Sequence, residues 1–318
     1  MAMPTLARSS RAQLPLLLVL SLTTVTCQSG SAPTGVQTPP PTTPPPPPPP
    51  PASGRIAFDM QKSAGGPRNI WVVAIDGTGL VQLTSDSADH HGPTLHDSLL
   101  AFGSVRVNGS IIASLQMGGG PSLAVFGPGD EPALSPDGTM YAYLAGGGGT
   151  PLVWIAHLDG TQAQRFAPAA AGWSGASEEH PVWSPSGDRI AYVSTRSTNA
   201  SIYVGVVGGA PGSATLLAGS ATGASVEPAW SPDGAQIVFT SNRDGPSDLY
   251  VVIVATGAVT RLTNLGNVGQ PAWLPDGHIV FTQWTGGVAG LEWLDPSAPT
   301  VLHSLTTGGD AQHAAAFS

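Results

Sequence analysis

One cysteine and one lysine are all that 318 residues contain of either type, and charged side chains make up only 10% of the chain. A lone cysteine excludes an internal disulfide. Eleven basic residues face twenty acidic ones, a formal charge of −9, and a chain so poor in lysine and so acidic is a bad match for a phosphate backbone, so nucleic acid is not expected as a partner. Long apolar runs are missing as well. The longest, Leu14 to about Val25, is too short to span a bilayer comfortably. After residue 54 no helical hydrophobic period is sustained, which excludes a helical bundle. No G-x-S-x-G elbow and no D-x-D-x-D-G loop occur, so the Asp-Gly pairs read as turn formers rather than calcium loops.

What is abundant is glycine, 41 residues, and proline, 32. The proline excess sits mostly in one tract and the glycines at regular turn positions, which favours a turn-rich β protein over disorder. The N-terminus reads as a targeting segment over residues 1–27, with Arg8 and Arg11 ahead of the apolar run. Its loss would leave nine basic residues and a formal charge of −11. Cys27 follows directly and resembles the acylated cysteine of bacterial lipoproteins, although Thr24, Val25 and Thr26 stand where that pattern prefers Leu or Val first and a small residue last. The resemblance implies a lipid anchor, to which each buried methylene adds ~0.8 kcal/mol; simple secretion and an uncleaved anchor are the alternatives. Residues 28–53 form a linker. Proline fills positions 39–51 except at Thr42 and Thr43, and such a tract lacks backbone donors and adopts polyproline II, a stiff spacer of ~40 Å at ~3.1 Å per residue.

Residues 54–318 are built on a repeat. Copies start at Glu131 (EPALSPDGTMYAYL), His180 (HPVWSPSGDRIAYVS), Glu227 (EPAWSPDGAQIVFTS) and Gln270 (QPAWLPDGHIVFTQ), and a degraded one at His91 (HGPTLHDSLLAFGS). Each copy has a short strand ending at Trp183, Trp230, Trp273 or Leu134, a Pro-Asp-Gly or Pro-Ser-Gly turn, and further strands rich in Val, Ile and aromatics. Proline presets the first angle of a type I turn and glycine takes the left-handed place that closes the hairpin. Four antiparallel strands per unit of ~40–45 residues make a β-propeller blade. The 265 residues from Gly54 give six blades. The tail, HAAAFS, reads as a lone first strand, and Arg55–Phe58 onward supplies strands two to four. The fold expected is therefore an all-β, six-bladed propeller closed by pairing of the C-terminal strand with the N-terminal blade.

The run SPDG, IVFTSNRDG, DLYVV and TGAVTRLT over residues 231–263 is similar to the repeat of TolB-like β-propellers of bacterial envelopes. The resemblance covers residues 54–318, without the separate α/β domain that precedes the propeller in TolB. It implies a periplasmic or cell-surface location, a monomer, and binding of an envelope protein or cell-wall component. Related propellers gate prolyl-oligopeptidase-type peptidases, whose hydrolase domain is lacking here, and form the body of oligogalacturonate lyases.

The residues that open the repeats, Glu131, His180, Glu227 and Gln270, should ring one mouth of the central channel. Such groups bind ligands, and Glu with His suits a divalent cation; equally, they can bond neighbouring backbone and line a wet channel. No cofactor is required, but a channel cation would suit the alternative function, a metal-dependent lyase or hydrolase acting on acidic polysaccharide. His91 and His313 stand one residue out of phase with the Leu95 and Phe317 that replace the tryptophan, and join the ring only through a bulge. Arg196 and Arg243 lie in loops on the same face, where they could take carboxylates, or pair with an acid such as Asp244 or Asp248. Trp183, Trp230 and Trp273 fit blade packing; Trp173, Trp284 and Trp293 fall outside the repeat and could be exposed. The expected contact surface is Glu131, His180, Glu227, Gln270, Arg196 and Arg243, with Cys27 as the lipidation site.

Overall fold

The computed structural model describes residues 54–63, 65–117, 124–146, 150–166, 175–210, 212–306 and 310–317, all within the unit Pro49–Ser318. The leader, Cys27, the linker and Trp173 lie outside the described residues. No helix among the described residues is long and apolar enough to cross a membrane.

Six four-stranded antiparallel sheets make up the fold. Blade 1 runs Asp310–Phe317, Arg55–Gln61, Arg68–Ala74 and Val81–Gln82, so the C-terminal strand completes the N-terminal blade. Blade 2 is Asp89–His96, Leu99–Arg106, Gly109–Gln116 and Ala124–Pro128, a full blade from the stretch where the repeat is weakest. Blades 3, 4, 5 and 6 open with Asp130–Leu134, Glu178–Trp183, Ser225–Trp230 and Val268–Trp273. Each first strand touches the first strands of both neighbouring blades, so these six form the innermost ring.

The hairpins behave as the turn residues dictate. In blade 3, Ser135 N–H bonds Met140 O, Gly138 N–H bonds Ser135 O, and Gly138 takes a φ of 64°. Hydrophobic clusters then fill the six interfaces between neighbouring blades rather than one central core. Phe58, Trp71, Val280 and Trp293 join blades 1 and 6; Trp183, Tyr192, Leu144 and Ile155 join blades 3 and 4; Trp230, Phe239, Tyr250 and Ile202 join blades 4 and 5. The repeat tryptophans are structural, as their periodicity required. Trp183 Nε1–H donates to Ala133 O at 3.0 Å and Trp230 Nε1–H to Val182 O at 3.2 Å, each reaching back to the preceding blade. Trp293 is also buried, at 8% exposure, with His303 stacked 4.0 Å from its ring. The expectation that it could be exposed is corrected: it belongs to the seam between blades 6 and 1.

Candidate binding site at the channel mouth

Every innermost strand carries a bulge at one place. In blade 4, Glu179 pairs with Val193 and Val182 with Ala191, which leaves His180 and Pro181 opposite Tyr192 alone. The same two-against-one step sets Gly92-Pro93 opposite Phe102, Glu131-Pro132 opposite Tyr143, Glu227-Pro228 opposite Phe239 and Gln270-Pro271 opposite Phe281. The first bulge residue is left-handed in all five: Gly92 (φ 56°), Glu131 (45°), His180 (50°), Glu227 (55°) and Gln270 (55°). Only glycine adopts this geometry freely, and an L-residue there costs about 1–2 kcal/mol. Four side chains thus sit on strained backbone at one level of one opening. Strain of this kind collects at sites where a side chain's direction matters.

The bulge also settles the two doubtful histidines. In blade 1, Asp59 pairs with Gln312 and Ala57 with Ala315, so His313 opens the bulge opposite Phe58, in the register of His180. Ala316, not Phe317, takes the register of the repeat tryptophan. In blade 2 the ring position falls to Gly92, and His91 stands one place before it. His91 nevertheless lines the opening, with Nε2 2.7 Å from Asp130 Oδ1. Burial alone would depress its pKa, but the hydrogen bond and charge of Asp130, reinforced by Asp59 and Glu131, outweigh that and raise it. Gly103 leaves room for this pair, since a Cβ there would run into both partners.

The opening encloses roughly 170 Å³ among His91, Glu131, His180, Glu227 and Gln270 and the bulge prolines. The four ring residues expected from the repeat do converge. Three of them also hold the fold, Gln270 by accepting the Thr282 hydroxyl on Oε1 at 2.9 Å. Glu131 Oε2 accepts the His180 N–H at 2.7 Å, and Glu227 Oε2 accepts the Gln270 N–H at 2.7 Å and the Thr240 hydroxyl at 2.7 Å. In the same manner Asp59 Oδ2 takes the Gly92 N–H at 3.2 Å. In these three bulges the amide turned out of the ladder is collected by a carboxylate of the preceding blade, whereas the Glu131 N–H goes to Asp130 Oδ1 of its own strand at 2.9 Å. His180 has no such duty. Its Nε2 stands 3.9 Å from Glu131 Oε1, and its Nδ1 is buried without a partner among the described residues.

The arginines are where the loops were expected to put them, but they are turned inward. Arg196 bonds Glu178 Oε1 at 2.9 Å and the Tyr192 hydroxyl at 2.6 Å, lies 4.6 Å over the Tyr203 ring, and is only 5% exposed. It is removed from the contact surface. Arg243 pairs with neither Asp244 nor Asp248. Its guanidinium sits about 5 Å from the Phe239 and Tyr250 rings and bonds the Ser225 and Ser241 hydroxyls. Asp244 accepts the Tyr250 hydroxyl instead, and Asp248 pairs with Arg261 at 2.6 Å. No lysine or arginine lines the mouth among the described residues, and no group of three or more His, Cys, Asp or Glu among them is arranged to hold a metal ion.

Residues 176–317, which span blades 4 to 6 and the closing strand, match the family profile described as "TolB beta propeller domain". Over that stretch, just under half of the chain, the sequence is similar to the TolB propeller. TolB from Acinetobacter baumannii superposes with a TM-score of 0.71 at 21% identity, over 83% of this chain and 66% of that one, so this chain spans just under two thirds of its length. A TolB candidate from Agrobacterium tumefaciens gives 0.62 at 20% identity, over 81% and 90%. A chain of the nidogen–laminin complex gives 0.62 at 12% identity, over 83% and 98%. At these identities the likeness is one of fold. No curated protein matches the sequence significantly. Sequence reasoning allowed a bulge only for His91 and His313 and missed that all six inner strands carry one, although the signal was present: each bulge opposes an aromatic, Phe58, Phe102, Tyr143, Tyr192, Phe239 or Phe281, and five of the six bulge pairs end in proline.

Proposed function

We propose that this TolB-like propeller is a binding module of the cell envelope. A protein or cell-wall partner docks on the channel mouth, and the leader and proline-rich linker tether the propeller there through Cys27. The reading rests on one observation above all: four polar side chains are set on left-handed backbone around a single opening. Glu131, Glu227 and Gln270 also bond within the ring, but His180, whose Nδ1 has no partner among the described residues, would be glycine in a channel lined for stability alone, as blade 2 is at Gly92.

The charge of the mouth narrows the partner. Glu131 and Glu227 line it without any lysine or arginine among the described residues, and Arg196 and Arg243 are engaged by their own blades. A segment carrying lysine or arginine suits this surface better than an acidic polysaccharide, which would meet carboxylates and no cation. The lyase or hydrolase alternative loses its anion-binding residues on that account.

A photo-crosslinking residue at position 180 tests the reading against the same residue at position 233, in the blade 5 turn on the opposite face. A discrete adduct from position 180 alone, weakened by added salt, is expected, because exposed charges are screened within ~10 Å at 0.1 M salt. Equal adducts from both positions, or none from position 180, would refute it.

A further inference from the structure

Blade 6 breaks the repeat beside the mouth. The residue before each bulge is Gln312, His91, Asp130, Glu179 or Val226 in the other five blades, and Gly269 in this one. A Cβ at that point would lie 3.0 Å from Glu227 Oε2 and 3.3 Å from both Thr240 Oγ1 and the Trp284 ring. The missing side chain opens a hollow of about 470 Å³ between blades 5 and 6. Trp284, outside the repeat and half-buried, forms one wall, and Glu227, Thr240, Ser247 and Asn267 supply polar groups around it. The next hairpin turns on Gly286 and Gly287 alone, both left-handed, which keeps that rim low and the hollow open.

We propose that this hollow is a subsite for a neutral sugar, one or two rings of an oligosaccharide. Its volume falls in the ~300–1,000 Å³ range of small-molecule sites and exceeds what one lysine or arginine side chain fills. An indole face offers a flat apolar platform for the C–H face of a pyranose, with a polar edge beside it. Hydroxyl, amide and carboxylate groups around that platform match the vicinal hydroxyls of a sugar. Glu227 Oε2 is already taken by the Gln270 N–H and the Thr240 hydroxyl, while Oε1 has no partner among the described residues and remains an acceptor for sugar hydroxyls. No basic residue among the described residues lines the hollow, so the Glu227 carboxylate would repel a uronic acid. The subsite shares Glu227 with the channel mouth but does not depend on a protein partner docking there.

Calorimetric titration of the purified full chain with cellobiose, N,N′-diacetylchitobiose, maltose and digalacturonate tests this. At least one neutral disaccharide should bind with a Kd of ~1 mM or tighter. Trp284→Ala and, independently, Gly269→Ala should each weaken it at least about tenfold, a loss of ~1.4 kcal/mol. Gly269 has ordinary backbone angles, so its variant keeps the test alive if Trp284→Ala misfolds. The proposal is overturned if no neutral sugar binds, if digalacturonate binds best, or if neither substitution alters the affinity. Crosslinking from position 180 reports on the mouth separately, so either proposal can fail alone.

Discussion

At the scale of single residues, the mouth divides side chains that hold the fold from those that do not. Glu131 holds it, because its carboxylate collects the His180 N–H. Glu131→Ala should cost about 1–3 kcal/mol, the range for a backbone donor deprived of its acceptor, whereas Glu131→Gln keeps an acceptor oxygen and should recover most of the loss in urea unfolding. His91 and Asp130 form a second pair whose value depends on pH. Asp130 is held below its ordinary pKa: burial would raise it, but the hydrogen bond and charge of His91 and the Glu131 N–H prevail. Its contribution is present above the unfolded carboxylate pKa and fades as the pH falls through the lowered folded value. The raised His91 contributes fully below its unfolded pKa of ~6.5 and less as the pH rises through its higher folded value. The pair therefore stabilises most between about pH 4 and pH 6.5. The difference in melting temperature between the protein and His91→Gln should be larger at pH 6 than at pH 8.5; a pH-independent difference would reject the pairing. Residue detail of this kind was only partly legible in the sequence. The loop positions of Arg196 and Arg243 followed from the repeat. Their inward turn depends on Glu178 and on Tyr203 and Tyr250 of the third strands, contacts that only the folded sheet brings together.

At the scale of the element, the blade was legible because its parts agree: turn residues, strand pattern and a tryptophan at a fixed place all give the same hairpin. Where the tryptophan is replaced, agreement weakens. Aligning Phe317 with it shifts His313 by one residue, whereas the pairing of Asp59 with Gln312 restores the register. The bulge of the regular copies is hard to read in the sequence because hydrophobic alternation holds only outside it. Trp230 shows what a blade needs from its neighbour. It is buried between blades 4 and 5 and bonds the Val182 carbonyl. Trp230→Ala should cost about 3–5 kcal/mol, as large-to-small core changes do. Trp230→Phe keeps most of the packing and should lose only about 1 kcal/mol with the hydrogen bond. Equal losses in chemical denaturation would mean that packing between blades is not what the tryptophan supplies.

At the scale of the whole molecule, closure joins the two ends of the propeller. The strand Asp310–Phe317 pairs with Arg55–Gln61 and touches the first strands of blades 6 and 2. Deleting residues 310–318 would bare the edge of a buried strand, a template for aggregation. The melting temperature should fall by at least ~10 °C, given ~2–4 °C per kcal/mol for a domain of this size; an unchanged melting point would refute closure. The ring as a whole does not need every residue at its mouth, and His180 decides whether the mouth is there to present side chains. Its φ of 50° is strained and its Nδ1 is buried without a partner among the described residues. The most direct test is the unfolding free energy of His180→Gly from urea denaturation. If the side chain is kept for contact with a partner, the variant should match the parent or exceed it by up to ~1 kcal/mol, as relief of left-handed strain allows. A loss greater than ~1 kcal/mol would make His180 a structural residue and remove the ground for a binding mouth.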